Sequence, residues 1–111
     1  MSELNLEGMA IAPGVVETIV SLAVRDVDGV VSVGSASGLR LFGGRPSGQG
    51  IEDTVDENDE LHVDVHVDVR YGASLPQVAE NIRTSVADAV TTQVGLNVAA
   101  VDVYVEAIQF E

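Results

Sequence analysis

The pattern of hydrophobic and polar positions is most regular in residues 61–71, LHVDVHVDVRY, where the two alternate without interruption. Successive side chains of a β-strand point to opposite faces of its sheet, so strict alternation predicts a strand with one buried face. The apolar face would carry Leu61, four valines and Tyr71. The polar face would carry His62, Asp64, His66, Asp68 and Arg70. Because a slip of one residue would expose the whole apolar set, the register of this central strand is strongly specified.

Two other stretches have the periodicity of amphipathic helices. Apolar residues recur at spacings of three and four over residues 13–28, which predicts a first helix followed by Gly29. The same spacing over residues 74–95 predicts a second helix. Ser74 and Gln77 match a capping box at its start, where the serine hydroxyl can accept a backbone N–H of the first turn.

Shorter β-like runs surround these elements, at residues 9–11, 30–33, 51–55 and 96–110. In the last run, Val98 has the opposite parity to Val101, so we expect a β-bulge near Ala99 or Ala100. The elements predict an α+β fold with a two-layer sandwich architecture. Its sheet would be mostly antiparallel, with two helices on one face and a β-α-β-β-α-β order. Residues 9–111 would form a single domain, and residues 1–8 a flexible N-terminus.

Residues 34–50, GSASGLRLFGGRPSGQG, hold six glycines and three serines, a composition typical of a long mobile loop. Loops of this length are uncommon in small domains unless they are functional or disordered. The loop also contains Leu39, Leu41 and Phe42 beside arginines. This apolar group is either a docking segment for a partner or a part of the loop that folds back on the core.

Charge excludes two classes of partner. The chain has eighteen acidic residues against five basic ones, all of them arginine, and a net charge of −13. Such a surface repels nucleic-acid phosphates and anionic lipid headgroups, so we expect neither nucleic-acid binding nor direct membrane insertion. The acidity reflects either solubility or adaptation to high internal salt. The absence of cysteine, of a long apolar segment and of a signal-peptide pattern makes the cytoplasm the expected location.

Metal chemistry is the first functional hypothesis that the central strand raises, because two histidines alternate with aspartates on its polar face. His62 and His66 would lie roughly 13 Å apart along a strand. Zinc holds imidazole nitrogens at about 2 Å, so one ion could not easily bind both. A polar face open to solvent or to a partner explains the pattern better, and we expect no metal and no cofactor. A small-ligand or metal-responsive regulatory domain that uses this face is the alternative.

Catalytic motifs are incomplete. Residues 34–38 resemble a nucleophile elbow, but the central position is Ala36 instead of serine. A phosphate-binding P-loop requires a lysine, which the chain lacks. We therefore expect no catalytic residues and a protein that is not an enzyme.

Three segments taken together resemble the alkaline shock proteins, the YloU-like envelope stress proteins of bacteria. The most specific are DVDGV, VRYGASLPQVAENI and VGLNVAAVDVYVEAI. The resemblance implies a cytoplasmic protein without enzymatic activity that takes part in cell-envelope homeostasis. It further implies self-association and docking to a membrane-anchored partner protein, which would bring this chain to the membrane indirectly. Family members commonly carry lysines in the mobile loop, and this chain has only arginines there.

Two candidate partner-binding surfaces follow. The first is the loop group of Leu39, Leu41 and Phe42. The second is the open face of the predicted sheet, on which we place His62, His66, Arg70, Tyr104 and Ile108. Amphipathic side chains such as Arg70 and Tyr104 suit interfaces. His62 and His66 could make contacts that respond to pH.

Overall fold

The computed structural model describes residues 4–6, 8–12, 14–34 and 50–110. It confirms the two-layer α+β fold. In chain order the described elements are β1 (Leu4–Leu6), β2 (Met9–Ile11), α1 (Val15–Arg25), β3 (Val30–Val33), β4 (Ile51–Val55), β5 (Glu60–Arg70), α2 (Leu75–Gln93) and β6 (Asn97–Gln109). β1 and β2 form a separate antiparallel hairpin, and the sequence pattern did not indicate β1.

The central strand β5 has neighbours along both of its edges. β6 pairs with it in parallel over its whole length, from Glu60 to Arg70. β4 pairs with residues 61–65 and β3 with residues 67–69, both antiparallel. Because β6 occupies one edge throughout, β3 and β4 lie end to end along the other. The sheet is mostly antiparallel by number of pairings, although its longest pairing is parallel.

β3 and β4 together form the outer row of the sheet along one edge of β5. The chain positions that flank residues 35–49, Gly34 and Gly50, meet opposite the same residue of β5. The N–H of Gly34 donates to the carbonyl of His66 at 2.7 Å, and the N–H of His66 donates to the carbonyl of Gly50 at 2.9 Å. A Cβ added to Gly50 would lie 2.4 Å from the Cα of Gly34, and both glycines have positive φ angles. Only residues without a side chain allow this close approach.

The core lies between the sheet and the two helices. The inward side chains of β5, which are Leu61, Val63, Val65, Val67 and Val69, are at most 1% exposed. α1 buries Val16, Val20 and Val24 against them, and α2 buries Val78, Ile82, Val86 and Val90, each at helical spacing. Burying each such side chain contributes roughly 1.5–3 kcal/mol. Both helices therefore cover one face of the sheet, as predicted.

Tyr71 was wrongly assigned to this core. β5 ends at Arg70, and Tyr71 begins a turn with its side chain 64% exposed. Local periodicity extended the strand by one residue because Tyr71 has the correct parity. It could not indicate that neither helix covers this end of the sheet.

The positions at which the helices begin and end are set by capping residues and not by the extent of the apolar stripes. α1 ends at Arg25, three residues before the predicted limit, because Asp26 caps it and Val27 turns into the core. At the start of α2, the hydroxyl of Ser74 accepts from the N–H of Gln77 at 3.4 Å, which confirms the cap. The Gln77 side chain donates to Asn81 instead of completing the capping box.

β6 contains two register shifts relative to β5. The first places an extra residue at Ala99 and confirms the predicted bulge. The second places an extra residue at Glu106 and reverses the parity that follows, so that Ile108 pairs with Val69. Directly paired residues point to the same face. Ile108 therefore lies on the side of the helices, and its assignment to the open face was wrong.

Candidate interaction surface

The sheet face opposite the helices is built from the polar side chains of β5 and its neighbours. Pairing sets them in rows across the strands: Thr54 with His62, Glu52 with Asp64 and Asp102, and His66 with Tyr104. Both helices pack on the other face, so neither described helix covers this open face. Most of its side chains are exposed or half-buried.

The centre of the open face is a group of three side chains. The rings of His66 and Tyr104 stack with centroids 4.7 Å apart and planes 12° apart. His66 Nδ1 lies 2.7 Å from Glu106 Oε2 and donates to it. The extra residue at the second bulge is what brings Glu106 back toward His66. Tyr104 remains 44% exposed, so the group is held in place by its own contacts while it stays accessible.

His62 has a different partner at the other end of the strand. Its Nε2 lies 2.9 Å from Asp56 Oδ2. The other oxygen of Asp56 accepts the backbone N–H groups of Asn58 and Glu60 in the turn between β4 and β5. The bond from Glu60, followed by the one from His62, holds the pKa of Asp56 below its usual value. Each histidine is thus hydrogen-bonded to a different carboxylate.

Three carboxylates form one row across the open face. Glu52, Asp64 and Asp102 are paired across β4, β5 and β6. Like charges placed directly opposite one another repel. The negative potential reaches Tyr104, whose pKa is raised chiefly by Asp64 and then by burial, Asp102 and Glu52. The row makes this part of the surface strongly negative.

Asp68 lies on the same side of β5 but is completely buried, which the alternating pattern did not predict. Its Oδ2 accepts from Ser32 Oγ at 3.3 Å and from Gln109 Nε2 at 2.9 Å. Its Oδ1 meets no donor among the described residues.

Two residues further on, Arg70 is exposed, with a nitrogen 3.8 Å from Asp28 Oδ1.

The structure brings four of the predicted site residues onto the open face. They are His62, His66, Arg70 and Tyr104. The loop group of Leu39, Leu41 and Phe42 lies outside the described residues. In the described ranges, no group of three histidine, aspartate or glutamate side chains could hold a metal ion.

An exposed apolar patch near the end of β6 was missed by the sequence pattern. It consists of Tyr71, Val105, Ile108 and Phe110, exposed by 64%, 39%, 41% and 77%. The rings of Tyr71 and Phe110 stack with centroids 4.7 Å apart. Register places Val105 and Ile108 on the side of the helices, while Tyr71 and Phe110 lie just beyond the paired ends of β5 and β6. Alternation shows which face a residue occupies but not whether a helix extends over it.

Two further features lie on the helix side. A groove of about 400 Å³ runs between α1 and α2, and its lining includes Leu22, Ala23 and Ala89. Beneath the first turn of α1, Glu17 approaches Asp53, which is only 7% exposed on the inner side of β4. Neither oxygen of Asp53 meets a donor among the described residues, so a hydrogen bond between the two carboxyl groups requires a shared proton.

This carboxyl pair titrates in a shifted range. Burial, together with the neighbouring Glu17, raises the pKa of Asp53 to about 7. Burial also disfavours the charged form of Glu17, yet the hydrogen bond from protonated Asp53 lowers the pKa of Glu17 overall. No sequence motif marks this pair, because its members are 36 positions apart.

The chain is similar in sequence to two Bacillus subtilis proteins. It is 29% identical over 113 residues to the Bacillus subtilis protein YqhY, covering 98% of this chain and 82% of YqhY. It is 34% identical over 53 residues to YloU of the same species, covering 48% of this chain and 44% of YloU. Neither helix that the structure describes has the length and apolar character that crossing a bilayer requires.

The fold has a counterpart of known structure. A MamM C-terminal domain carrying the substitution H264A superposes with a TM-score of 0.52 at 19% identity, over 86% of this chain and 96% of that domain. At this identity the likeness concerns the fold alone. Residues 2–110 match the model of the alkaline shock protein family, which is described as having a cell envelope-related function. The resemblance carried by the three sequence segments is thereby confirmed, and the chain belongs to the alkaline shock protein family.

Proposed function

We propose that this protein is a non-enzymatic interaction and scaffold module in cell-envelope homeostasis or stress response. It acts by self-association and by docking to a membrane-anchored partner protein. Family membership supports the envelope role. The mode of action is supported by the open sheet face, where side chains suited to binding lie exposed.

The observation that carries the proposal is the stacked pair of His66 and Tyr104, fixed by Glu106. Side chains that are already ordered lose little conformational entropy when a partner binds. Tyrosine is also among the residues that dominate binding energy at protein interfaces. This pair is therefore the predicted centre of the contact.

The location follows from charge. A chain with a net charge of −13 is repelled by anionic lipid, so it reaches the membrane through a protein and resides in the cytoplasm. The same charge opposes binding to nucleic acid. The metal-responsive alternative gains no support from the geometry, because His62 and His66 engage separate carboxylates.

The test is fractionation of the native cell. Tagged wild-type protein is compared with a double variant, His66→Ala with Tyr104→Ser, and with a control pair on the exposed side of α2, Arg83→Ala with Thr84→Ala. The wild type and the control should sediment partly with membranes, while the His66 and Tyr104 variant moves to the soluble fraction with its circular dichroism unchanged. Equal distribution of all three proteins would contradict the proposal.

A further inference from the structure

The outer edge of β6 is unpaired among the described strands. β6 is 13 residues long and pairs only with β5. Every residue from Tyr104 to Ile108 is exposed, which means that both faces of the strand are open as well as its edge. An unpaired strand presents a row of backbone N–H and C=O groups that another extended chain can satisfy.

The two faces beside this edge differ in chemistry. On the side of the helices lie Val105 and Ile108, and the stacked rings of Tyr71 and Phe110 at the end of the strand present on the order of 250 Å² more. On the open face lie Asp102 and Glu106, and Asp64 and Glu52 continue the row of Asp102 on the neighbouring strands β5 and β4. A strand added to this edge would place alternate side chains on these two surfaces.

A second copy of this chain fits the edge poorly. It would bring its own Asp102 and Glu106 alongside those of the first copy, and each chain carries a net charge of −13. Charged side chains carried by an edge strand are a common protection against self-pairing of strands. The same charges attract a segment of opposite sign.

We infer that the outer edge of β6 binds an extended segment of a partner protein in which apolar and basic residues alternate. Its apolar side chains cover Val105, Ile108 and Phe110. Its arginine or lysine side chains face Asp102 and Glu106, and its backbone extends the sheet. This inference rests on the proposed function and specifies the partner chemistry and the binding mode; self-association then uses other surfaces.

The test uses capped ten-residue peptides at physiological salt, with affinities measured by fluorescence anisotropy. One peptide alternates valine and arginine, a second alternates serine and arginine, and a third alternates valine and glutamate. The first should bind, the second at least about tenfold more weakly, and the third not at all. Equal binding of the first two would overturn the role of the apolar patch.

Matched variants separate strand addition from general attraction. Phe110→Ser should weaken binding about tenfold, whereas Leu22→Ser, at an exposed position on α1, should leave it unchanged. Asp102→Asn should weaken it about two- to fivefold, whereas Asp88→Asn removes the same charge from α2 without effect. Equal losses of peptide affinity in Asp102→Asn and Asp88→Asn would show that binding depends only on net charge, which would overturn the inference.

Hydrogen exchange gives the geometric readout. Bound valine–arginine peptide should slow exchange of alternate backbone amides between Tyr104 and Gln109, because only the outward-pointing N–H groups gain partners. Unchanged exchange, or light scattering that shows a dimer lost in Phe110→Ser, would overturn the inference. If the valine–arginine peptide does not bind while membrane association still depends on His66 and Tyr104, only the inference of strand addition is wrong. If the peptide does not bind and membrane association does not depend on His66 and Tyr104, the proposed function is wrong as well.

Discussion

The N–H of Gly34 and the carbonyl of Gly50 bond to the same residue, His66, and so together make the two hydrogen bonds that a single strand residue would make. β3 and β4 thus behave as one strand into which residues 35–49 are inserted. The insertion point therefore lies opposite His66, near the middle of β5. Gly34 and Gly50 complete the backbone pairing of β5 at His66 between β3 and β4.

Removing residues 35–50, so that Gly34 joins Ile51, should preserve the fold. The shortened chain would run through the row as a regular strand, and closing the loop would no longer cost chain entropy. Urea unfolding should remain cooperative, with a free energy of unfolding equal to or above that of the wild type. Removing one residue more, 35–51, would reverse the faces of β4 and should destabilise strongly.

The same deletion decides between the two interpretations of Leu39, Leu41 and Phe42. A folded deletion protein that no longer associates with membranes in cells would support the docking segment. Loss of the fold would support packing of these side chains on the core. Unchanged membrane association in a folded protein would remove the docking hypothesis.

A side chain at Gly50 should be much more harmful than one at other glycines with positive φ. Gly50→Ala places a Cβ 2.4 Å from the Gly34 backbone, whereas nothing lies within 4 Å of a Cβ at Gly95. Backbone strain alone costs about 1 kcal/mol, which Gly95→Ala should reveal. Gly50→Ala should lose about 2–4 kcal/mol of unfolding free energy. Equal losses would indicate that the close approach is not maintained in solution.

Asp53 should make stability depend on pH. Its folded pKa of about 7 lies above the unfolded value of 3.8, because burial disfavours the charge. The folded state therefore binds the extra proton, and the resulting stability is present below about pH 4 and lost as pH rises through about 7. The loss should be on the order of 2 kcal/mol, because the lowered pKa of Glu17 stabilises the folded state over the same rise in pH and offsets part of it.

Asp53→Asn tests this dependence, since the amide keeps the shape, carries no charge and can donate to Glu17. Between pH 5 and pH 8 the variant should lose less stability than the wild type, and at pH 8 it should be the more stable protein. Glu52→Gln, on the exposed side of the same strand, is the control and should follow the wild type. A wild-type profile identical to that of Asp53→Asn would show that Asp53 titrates normally.

His66 should contribute little to folding despite its contacts. Its pair with Glu106 is partly exposed, and such pairs contribute about 1 kcal/mol or less. His66→Ala should therefore lower the free energy of unfolding by about that amount, close to the effect of His62→Ala. Its effect on membrane association in cells should be the larger of the two. A loss of stability well above that of His62→Ala would make His66 a structural residue.

Local sequence signals accounted for much of the fold. Alternation in β5, the apolar stripes of α1 and α2, the serine cap at Ser74 and the parity change at Ala99 were all readable, because each depends on neighbours in the chain. Strand direction was not readable. Nothing in residues 97–109 distinguishes a parallel partner from an antiparallel one.

The candidate surface was only partly predictable for the same reason. The parity of β5 correctly placed His62, His66 and Arg70, but one extra residue at Glu106 moved Ile108 to the other face. The stack of His66 on Tyr104 joins residues 38 positions apart, and Glu17 with Asp53 is a similar case. Such contacts depend on how separate elements pair and pack, which the pattern of one element does not contain.

Site-specific crosslinking in the native cell tests the central claim most directly. A photo-crosslinking amino acid is placed at position 104, beside His66 on the open face, and in a control at position 84, on the exposed side of α2. An interaction surface predicts discrete crosslinked products from position 104, to another copy or to a membrane protein, and few from position 84. Equal yields from both positions, or no product from position 104, would contradict the account.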